Sequence, residues 1–152
     1  MNKIKHGNLF LSPRDDREIK EWVEFENLVG TDVSSYSTTM NGVQYAFGPG
    51  DKQPRWHKVI LDQIPHFDFS RIKSSWVVSY DIGGYQEQHL HASSDGTLIV
   101  NMIGNGIICL HEETITEKHL TPGDWIYIPG KIIHSTKPCE TERIVLVIDF
   151  KL

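Results

Sequence analysis

Two histidines separated by a single residue offer the clearest candidate chemistry in this sequence. His89 and His91 flank Leu90 in a run of residues with strand-like composition. Because side chains alternate between the two faces of a strand, both imidazoles are expected on one face, about 6.6 Å apart at Cα (two rises of ~3.3 Å). Two ring nitrogens can reach one divalent ion across that gap at about 2.0–2.1 Å each. The spacing therefore predicts part of a metal site, and the alternative is a polar lining without metal.

The composition is that of an ordinary globular protein. The chain has 152 residues, of which 39% are hydrophobic and 23% charged, enough for one hydrophobic core. Its net charge of −5 argues against binding to nucleic acids or anionic membranes, since both need a basic face. No apolar run approaches the ~18 residues of a membrane span, and the first residues lack the apolar segment of a signal peptide. With only two cysteines, a disulfide framework is excluded and a cytoplasmic location is expected.

Most of the strand-forming pattern lies in the second half of the chain. From about residue 75, short runs of β-branched and aromatic residues are separated by turn signals such as Gly83-Gly84. Many short strands without a gap of helical length indicate an antiparallel sandwich or barrel. The predicted strands are Ser75–Ile82, Gln86–His91, Thr97–Ile103, Ile107–Leu110, Thr114–His119, Trp125–Ile128, Lys131–Thr136 and Arg143–Phe150.

The first third of the chain contains one predicted helix. Ser12-Pro13-Arg14-Asp15 combines a hydroxyl cap, a proline in the first turn and an acidic residue at the positive end of the helix dipole. Apolar residues follow at helical spacing over residues 13–28, and this face is expected to pack on a sheet. We predict one domain, residues 1–152, in which this helix is added to a β core over residues 75–150. The predicted stop at Gly30, a loop over residues 31–42 and a turn at Gly48–Asp51 follow the helix.

Two groups of residues around the histidine pair resemble the metal motifs of the cupins. The first is Gly83-x5-His89-x-His91-x3-Asp95, and the second is Gly123-Asp124-x4-Pro129-Gly130-x3-His134. The resemblance covers about residues 83–134 and implies an antiparallel double-stranded β-helix, or jelly roll. It also implies that His89, His91 and His134 point into the barrel mouth and bind a metal. Asp95 stands where cupins have Glu, and it is a candidate fourth or replacement ligand.

A further pattern extends toward the end of the chain. Tyr80-x-x-Gly83 precedes the histidine pair, Ser-Thr-Lys-Pro138 follows His134, and Glu142-Arg143 comes shortly after. Over residues 76–150 these features resemble the iron- and 2-oxoglutarate-dependent dioxygenases, which share the same β-helix. Members of that family bind iron through an HxD or HxE pair and a distal His, and a basic residue farther along holds the far carboxylate of the co-substrate.

The second resemblance implies iron(II) as cofactor and 2-oxoglutarate as co-substrate. Arg143 takes the place of the basic residue, with Tyr80 or Thr97 as helpers. His91 stands where the family has a carboxylate, so either Asp95 restores one or the site has three histidines. Metals other than iron stay open, because imidazole suits several divalent ions.

Strand pairing gives a second reason to single out Arg143. A hairpin turning at Lys137–Thr141 would place His134 opposite Arg143, about 4.5–5.5 Å apart at Cβ. A buried guanidinium beside a divalent cation is unfavourable unless an anion lies between them. A carboxylate that chelates the metal and also binds Arg143 would satisfy both, which predicts an acidic co-substrate.

We therefore predict an iron(II)/2-oxoglutarate-dependent dioxygenase that hydroxylates a small-molecule or peptide substrate. One alternative is a three-His cupin enzyme that uses no keto acid, such as another dioxygenase, an isomerase or a lyase. Another is a non-catalytic ligand-binding module of the same fold. A literal HxD sequence at His66-Phe67-Asp68 is an alternative ligand pair. The resemblance is compatible with a homodimer, since cupins often pair through their sheets.

Overall fold

Strands dominate the computed structural model, which describes residues 3–29, 38–47, 52–65, 67–91 and 93–151. The strands are β1 Lys5–Asn8, β2 Thr39–Ala46, β3 Ile72–Gln86, β4 Gly96–Ile103, β5 Gly106–His111, β6 Ile115–Leu120, β7 Asp124–Pro129, β8 Ile133–Thr136 and β9 Arg143–Phe150. The helices are α1 Pro13–Val29 and α2 Arg55–Gln63, and a short 3-10 turn covers Phe69–Arg71.

The strands form two antiparallel sheets that share a core. The larger sheet has the order β1-β7-β4-β9-β3-β2, and the smaller has the order β6-β5-β8. Apolar side chains from both sheets pack together, among them Val78 and Val145 of the larger sheet and Ile108 and Leu110 of the smaller. This arrangement confirms the predicted antiparallel jelly roll.

The opposite face of the larger sheet is covered by the two helices. Ile19 of α1 and Ile60 of α2 are fully buried against sheet residues such as Leu146 and Ile148. The start of α1 is capped as its sequence predicts: the Ser12 hydroxyl accepts from the Asp15 amide, and the Asp15 carboxylate accepts from the Ser12 amide. Within the described residues, neither helix is long and apolar enough to cross a membrane.

Several elements differ from the sequence predictions. The second helix, α2, was not predicted, although its buried residues Trp56 and Ile60 have helical spacing. Strands β1 and β2 lie outside residues 75–150 but form the two edges of the larger sheet, and β2 begins inside the predicted loop 31–42. The predicted stop at Gly30 and the turn at Gly48–Asp51 lie outside the described residues.

The predicted turn at Gly83-Gly84 is instead part of a 15-residue strand, β3. Gly83 has a φ of +88°, which glycine adopts at little cost, and Asn41 on the neighbouring strand has a φ of +52°. A Cβ on Gly84 would lie 2.6 Å from the Asn41 carbonyl oxygen. The two glycines therefore accommodate an irregularity in the β2–β3 pairing rather than ending the strand.

Candidate metal centre

His89, His91 and His134 come together at the cavity between the two sheets. The ring centroids are 5.2 Å apart for His89 and His91, 4.4 Å for His89 and His134, and 5.2 Å for His91 and His134. One ligand nitrogen from each ring lies within 4.8 Å of the other two. The three residues thus form a cluster that could hold one metal ion.

The backbone places two of these histidines side by side. His89 and His91 follow the end of β3 in an irregular segment, and not in the strand predicted over Gln86–His91. The His89 amide donates to the His134 carbonyl at 3.0 Å, and the His134 amide donates to the His89 carbonyl at 2.9 Å. Directly paired residues of an antiparallel ladder carry their side chains on the same face, so the two rings are neighbours.

Each of the three rings has its Nδ1 occupied by an acceptor. The acceptor is the Glu87 carbonyl for His89 (2.7 Å) and the Ile132 carbonyl for His134 (3.0 Å). For His91 it is the carboxylate of Asp149, at 2.8 and 3.0 Å. Because these oxygens can only accept, each Nδ1 carries a proton, which leaves Nε2 as the candidate ligand atom of each ring.

The protonation of the rings suits metal binding. Burial lowers the pKa of His134 to about 3 and also lowers the pKa of His89. Both rings are therefore neutral at neutral pH, as a metal ligand must be. The Nε2 of His134 is buried without a hydrogen-bond partner. A buried nitrogen with an unused lone pair beside two similar rings fits a divalent cation.

The carboxylate beside the histidines is Asp149, and the structure does not bring Asp95, the predicted fourth or replacement ligand, to the cluster. Asp149 is 7% exposed and contacts His91, whereas the Asp95 side chain is 40% exposed and lies 3.9 Å from the Lys151 Nζ. Thr97, predicted to help bind a co-substrate, does not line the cavity. Its hydroxyl donates to the Asp149 carboxylate at 2.6 Å.

Arg143 is a buried cation with an unused donor. Its Nε donates to the Asn101 side-chain oxygen at 2.7 Å, and its guanidinium carbon lies 5.7 Å from the centre of the Tyr80 ring. The Nη2 is buried and has no hydrogen-bond partner. Burial lowers the pKa of Arg143, but a guanidinium stays charged in proteins. An anion in this position would satisfy both the charge and the unused donor.

The three histidines and Arg143 line one cavity of about 490 Å³. This volume is in the range of small-molecule sites. Among the described residues that line it, Asp149 is the one acid, and it is already paired with His91. Apolar walls come from both sheets, namely Trp76, Val78, Ile99, Ile108, Val145 and Val147. The cavity therefore combines a cluster of candidate metal ligands with a buried positive charge and a partly apolar lining.

The predicted hairpin between His134 and Arg143 is wrong. In the structure His134 on β8 pairs with Leu110 in the smaller sheet, while Arg143 on β9 pairs with Tyr80 in the larger one. The connection over residues 137–141 passes from one sheet to the other, as connections in jelly rolls do. His134 and Arg143 consequently line the cavity from different sheets, which leaves space for a ligand between them.

Sequence reasoning missed Asp149 and Asn101. Each is the one polar residue in an apolar stretch of its strand, over residues 144–150 and 98–103 respectively, and that is the available signal. The alternative HxD pair gains no support from its described member: the exposed Asp68 carboxylate accepts from the Ser70 amide at 3.0 Å. His66 lies outside the described residues.

Comparison with known proteins identifies relatives by fold alone. No protein-family model matches the chain, and no curated protein sequence does. Among solved structures, OsALKBH1 aligns with a TM-score of 0.73 and 11% identity over 96% of this chain and 97% of that protein. A prolyl hydroxylase from Trichoplax adhaerens, in complex with a hypoxia-inducible-factor peptide, aligns with a TM-score of 0.69 and 15% identity over 99% and 84%.

A manganese enzyme shares the fold more distantly. Bacillus subtilis oxalate decarboxylase, which has Mn(II) centres, aligns with a TM-score of 0.57 and 14% identity over 82% of this chain and 28% of that one. Identities this low establish the architecture and leave the chemistry to the residues of the site. The chain thus resembles iron/2-oxoglutarate dioxygenases and cupins in fold, and it carries a three-His cluster in the cavity between its two sheets.

Proposed function

We propose that the protein is an iron(II)- and 2-oxoglutarate-dependent oxygenase that hydroxylates an organic substrate. The proposal is supported most directly by the presence of three convergent imidazoles and a buried, incompletely partnered guanidinium in one cavity. A metal ion on the histidines and the Arg143 cation would repel each other unless an anion lay between them. A keto acid with two carboxylates has the chemistry to bind both.

The donor set fits a metal of this kind. Three neutral imidazoles would hold the ion through Nε2 and leave coordination positions open for the co-substrate and oxygen. Bound iron would supply the redox chemistry. The role of the chain's own residues is to hold the reactants in place and to exclude water.

Arg143 would anchor the far carboxylate of the co-substrate. Its Nε is fixed by Asn101 and its plane lies near the Tyr80 ring, so Nη2 is oriented before any ligand binds. Preorganised donors lose little entropy on binding. The phenol of Tyr80 stays neutral, because burial raises its pKa to about 12. Val145 and Val147, which follow Arg143 on the same face of β9, would keep water from the reacting centre.

The substrate that we propose is a small molecule or a peptide. The Trichoplax prolyl hydroxylase was solved with a peptide bound, and its fold is shared over nearly the whole of this chain. A screen of both classes would follow once the co-substrate is established.

A second candidate is a metal cupin enzyme that uses no keto acid. It is favoured by His91, which stands where a dioxygenase of the first kind has a carboxylate ligand. The likeness in fold to a manganese oxalate decarboxylase is consistent with this alternative. In such an enzyme Arg143 would bind the acidic substrate itself.

An anaerobic titration separates the candidates. The iron(II)-loaded protein is titrated with 2-oxoglutarate while a metal-to-ligand charge-transfer band is followed. We expect the band, and we expect Arg143→Gln to weaken 2-oxoglutarate binding by about 30-fold or more, because a buried charge pair is lost. Arg143→Lys keeps the charge but not the fork and should lose less affinity. Arg71→Gln, at an exposed arginine that does not line the cavity, is the matched control.

The outcomes point to different functions. Iron binding without the band, or a band unaffected by Arg143→Gln, would favour the second candidate. Failure of the purified protein to take up iron(II) or manganese(II) would contradict both enzyme proposals and favour a ligand-binding module. Circular dichroism of each variant shows whether it is folded, so that a lost band is not mistaken for unfolding.

A further inference from the structure

Asp149 is a buried carboxylate without a lysine or arginine partner among the described residues. Its side chain, on β9, accepts from His91 Nδ1 through both oxygens and from the Thr97 hydroxyl through Oδ1. Its one ion-pair partner within 4.0 Å in the described chain is His91. Burying a negative charge is costly unless a positive charge is close, and a divalent cation on the histidines would compensate the charge of Asp149.

The three histidines differ in the group that accepts the Nδ1 proton. The Nδ1 protons of His89 and His134 go to neutral backbone carbonyls, whereas that of His91 goes to a charged group. A carboxylate that accepts from Nδ1 increases the electron density at Nε2 and makes the ring a stronger ligand. His91 is therefore expected to be the strongest electron donor of the three candidate ligands.

The orientation of the His91 ring is also constrained by its neighbours. It stacks on Trp76, with centroids 5.9 Å apart and an interplanar angle of 11°, and on His134 at 5.2 Å and 20°. The Asp149 contact fixes the remaining rotation about the ring axis. Thr97 in turn holds Asp149, so the orientation is passed from β4 through β9 to the ring.

We infer that Asp149 is a positioning residue that supplies, through His91, the negative charge which this site lacks among its direct ligands. Three neutral imidazoles leave a divalent ion at +2, and two imidazoles with one carboxylate leave it at +1. Asp149, one ring removed from the ion, brings the three-His site to the same total of +1. The inference rests on the part of the proposed function that puts a divalent metal on the histidines, and it is independent of the co-substrate.

The test compares two carboxylates that differ in their contact with His91. Asp149→Asn keeps an oxygen that can accept from His91 and removes the charge. Asp95→Asn removes the exposed carboxylate that lies four residues after His91 in the sequence. With cobalt(II) as the probe, we expect Asp149→Asn to bind about 10- to 100-fold more weakly than the wild type. Asp95→Asn should bind within about twofold of the wild type, and Thr97→Val should lie between the two.

A melting experiment distinguishes charge from structural support. Without metal, Asp149→Asn should keep or raise the Tm, because it removes an uncompensated buried charge. With saturating cobalt(II) the wild type should gain more Tm than the variant, since ligand stabilisation follows affinity. The exchangeable Nδ1 proton of His91, which the cobalt ion shifts in proton NMR, should move in Asp149→Asn and stay in Asp95→Asn.

The possible outcomes distinguish failure of this inference from failure of the proposed function. Equal cobalt(II) affinity of Asp149→Asn and wild type would overturn the inference and leave the proposed function standing. A variant that is destabilised without metal but keeps its affinity would show a structural role and also overturn it. A wild-type protein that binds neither cobalt(II), iron(II) nor manganese(II) would overturn the proposed function and this inference with it.

Discussion

Both faces of the larger sheet are buried, but they have different roles. Every residue of β9 is buried, and its side chains alternate between the faces. Ile144, Leu146, Ile148 and Phe150 pack in the layer under the helices, whereas Arg143, Val145, Val147 and Asp149 line the cavity. The helix-covered face buries apolar area, and the cavity face buries charged groups whose partners are incomplete. We conclude that the first face stabilises a fold in which the second is free to bind ligands.

The largest effect is expected from removing a cavity-face ligand. His134→Leu should reduce divalent-metal affinity by more than about 100-fold and abolish metal-dependent activity. Stability without metal should be unchanged or higher, because a buried nitrogen without a partner is replaced by an apolar group. Calorimetric titration and thermal melting measure the two quantities. His119→Leu, at an exposed histidine on β6, is the control. A large loss of Tm in His134→Leu would contradict the assignment of stability to the helix-covered face.

Truncations of adjacent β9 residues test directly which face of the larger sheet contributes more to stability. Ile148→Ala, on the helix-covered face and fully buried, should lower the free energy of unfolding by about 2–5 kcal/mol. Val147→Ala removes a smaller group that already borders the cavity, so its cost should be about 1 kcal/mol or less. Urea denaturation followed by fluorescence measures both. Equal costs for the two variants would contradict the assignment of stability to the helix-covered face.

A pH effect should come from the helix-covered face. His57 on α2 is 6% exposed, and burial lowers its pKa from 6.5 to about 4. Between those values the unfolded chain binds a proton that the folded chain does not, so stability rises with pH. About 3 kcal/mol should therefore be present above pH 6.5 and lost as the pH falls to 4.

The pH prediction is checked by urea unfolding of the metal-free protein from pH 4 to pH 7. His57→Leu should make the dependence less steep, because Leu cannot bind the proton, while the buried His134 and His89 still contribute to it. His119→Leu should leave the dependence as in the wild type. A pH profile that His57→Leu does not alter would show that another group is responsible.

The parts that could be predicted from the sequence depend on short-range patterns. The helix start at Ser12–Asp15 follows from capping chemistry between neighbouring residues. The proximity of the His89 and His91 rings follows from their spacing in the sequence. The resemblance to known metal motifs adds His134 to the cluster. Alternation of strands and turns predicts an antiparallel sandwich or barrel, and the motif resemblance specifies a jelly roll.

The remaining parts depend on pairing between distant segments. The contact between His91 and Asp149 joins residues 58 positions apart, and no sequence pattern near either residue predicts that they touch. The register of Arg143 was mispredicted because a turn of five residues gives no sign that it crosses between sheets. Strand β1, with the polar sequence KHGN, is a strand because β7 pairs with it.

The two backbone hydrogen bonds between His89 and His134 fix the Cα separation of these positions whatever side chains they carry. A cysteine or an aspartate introduced at either position would have the same Cα separation from the other position and would lie on the same face. Softer or harder donors favour different ions. We therefore expect this scaffold to be convertible from one metal to another by exchange of single residues, with the surrounding strands left as they are.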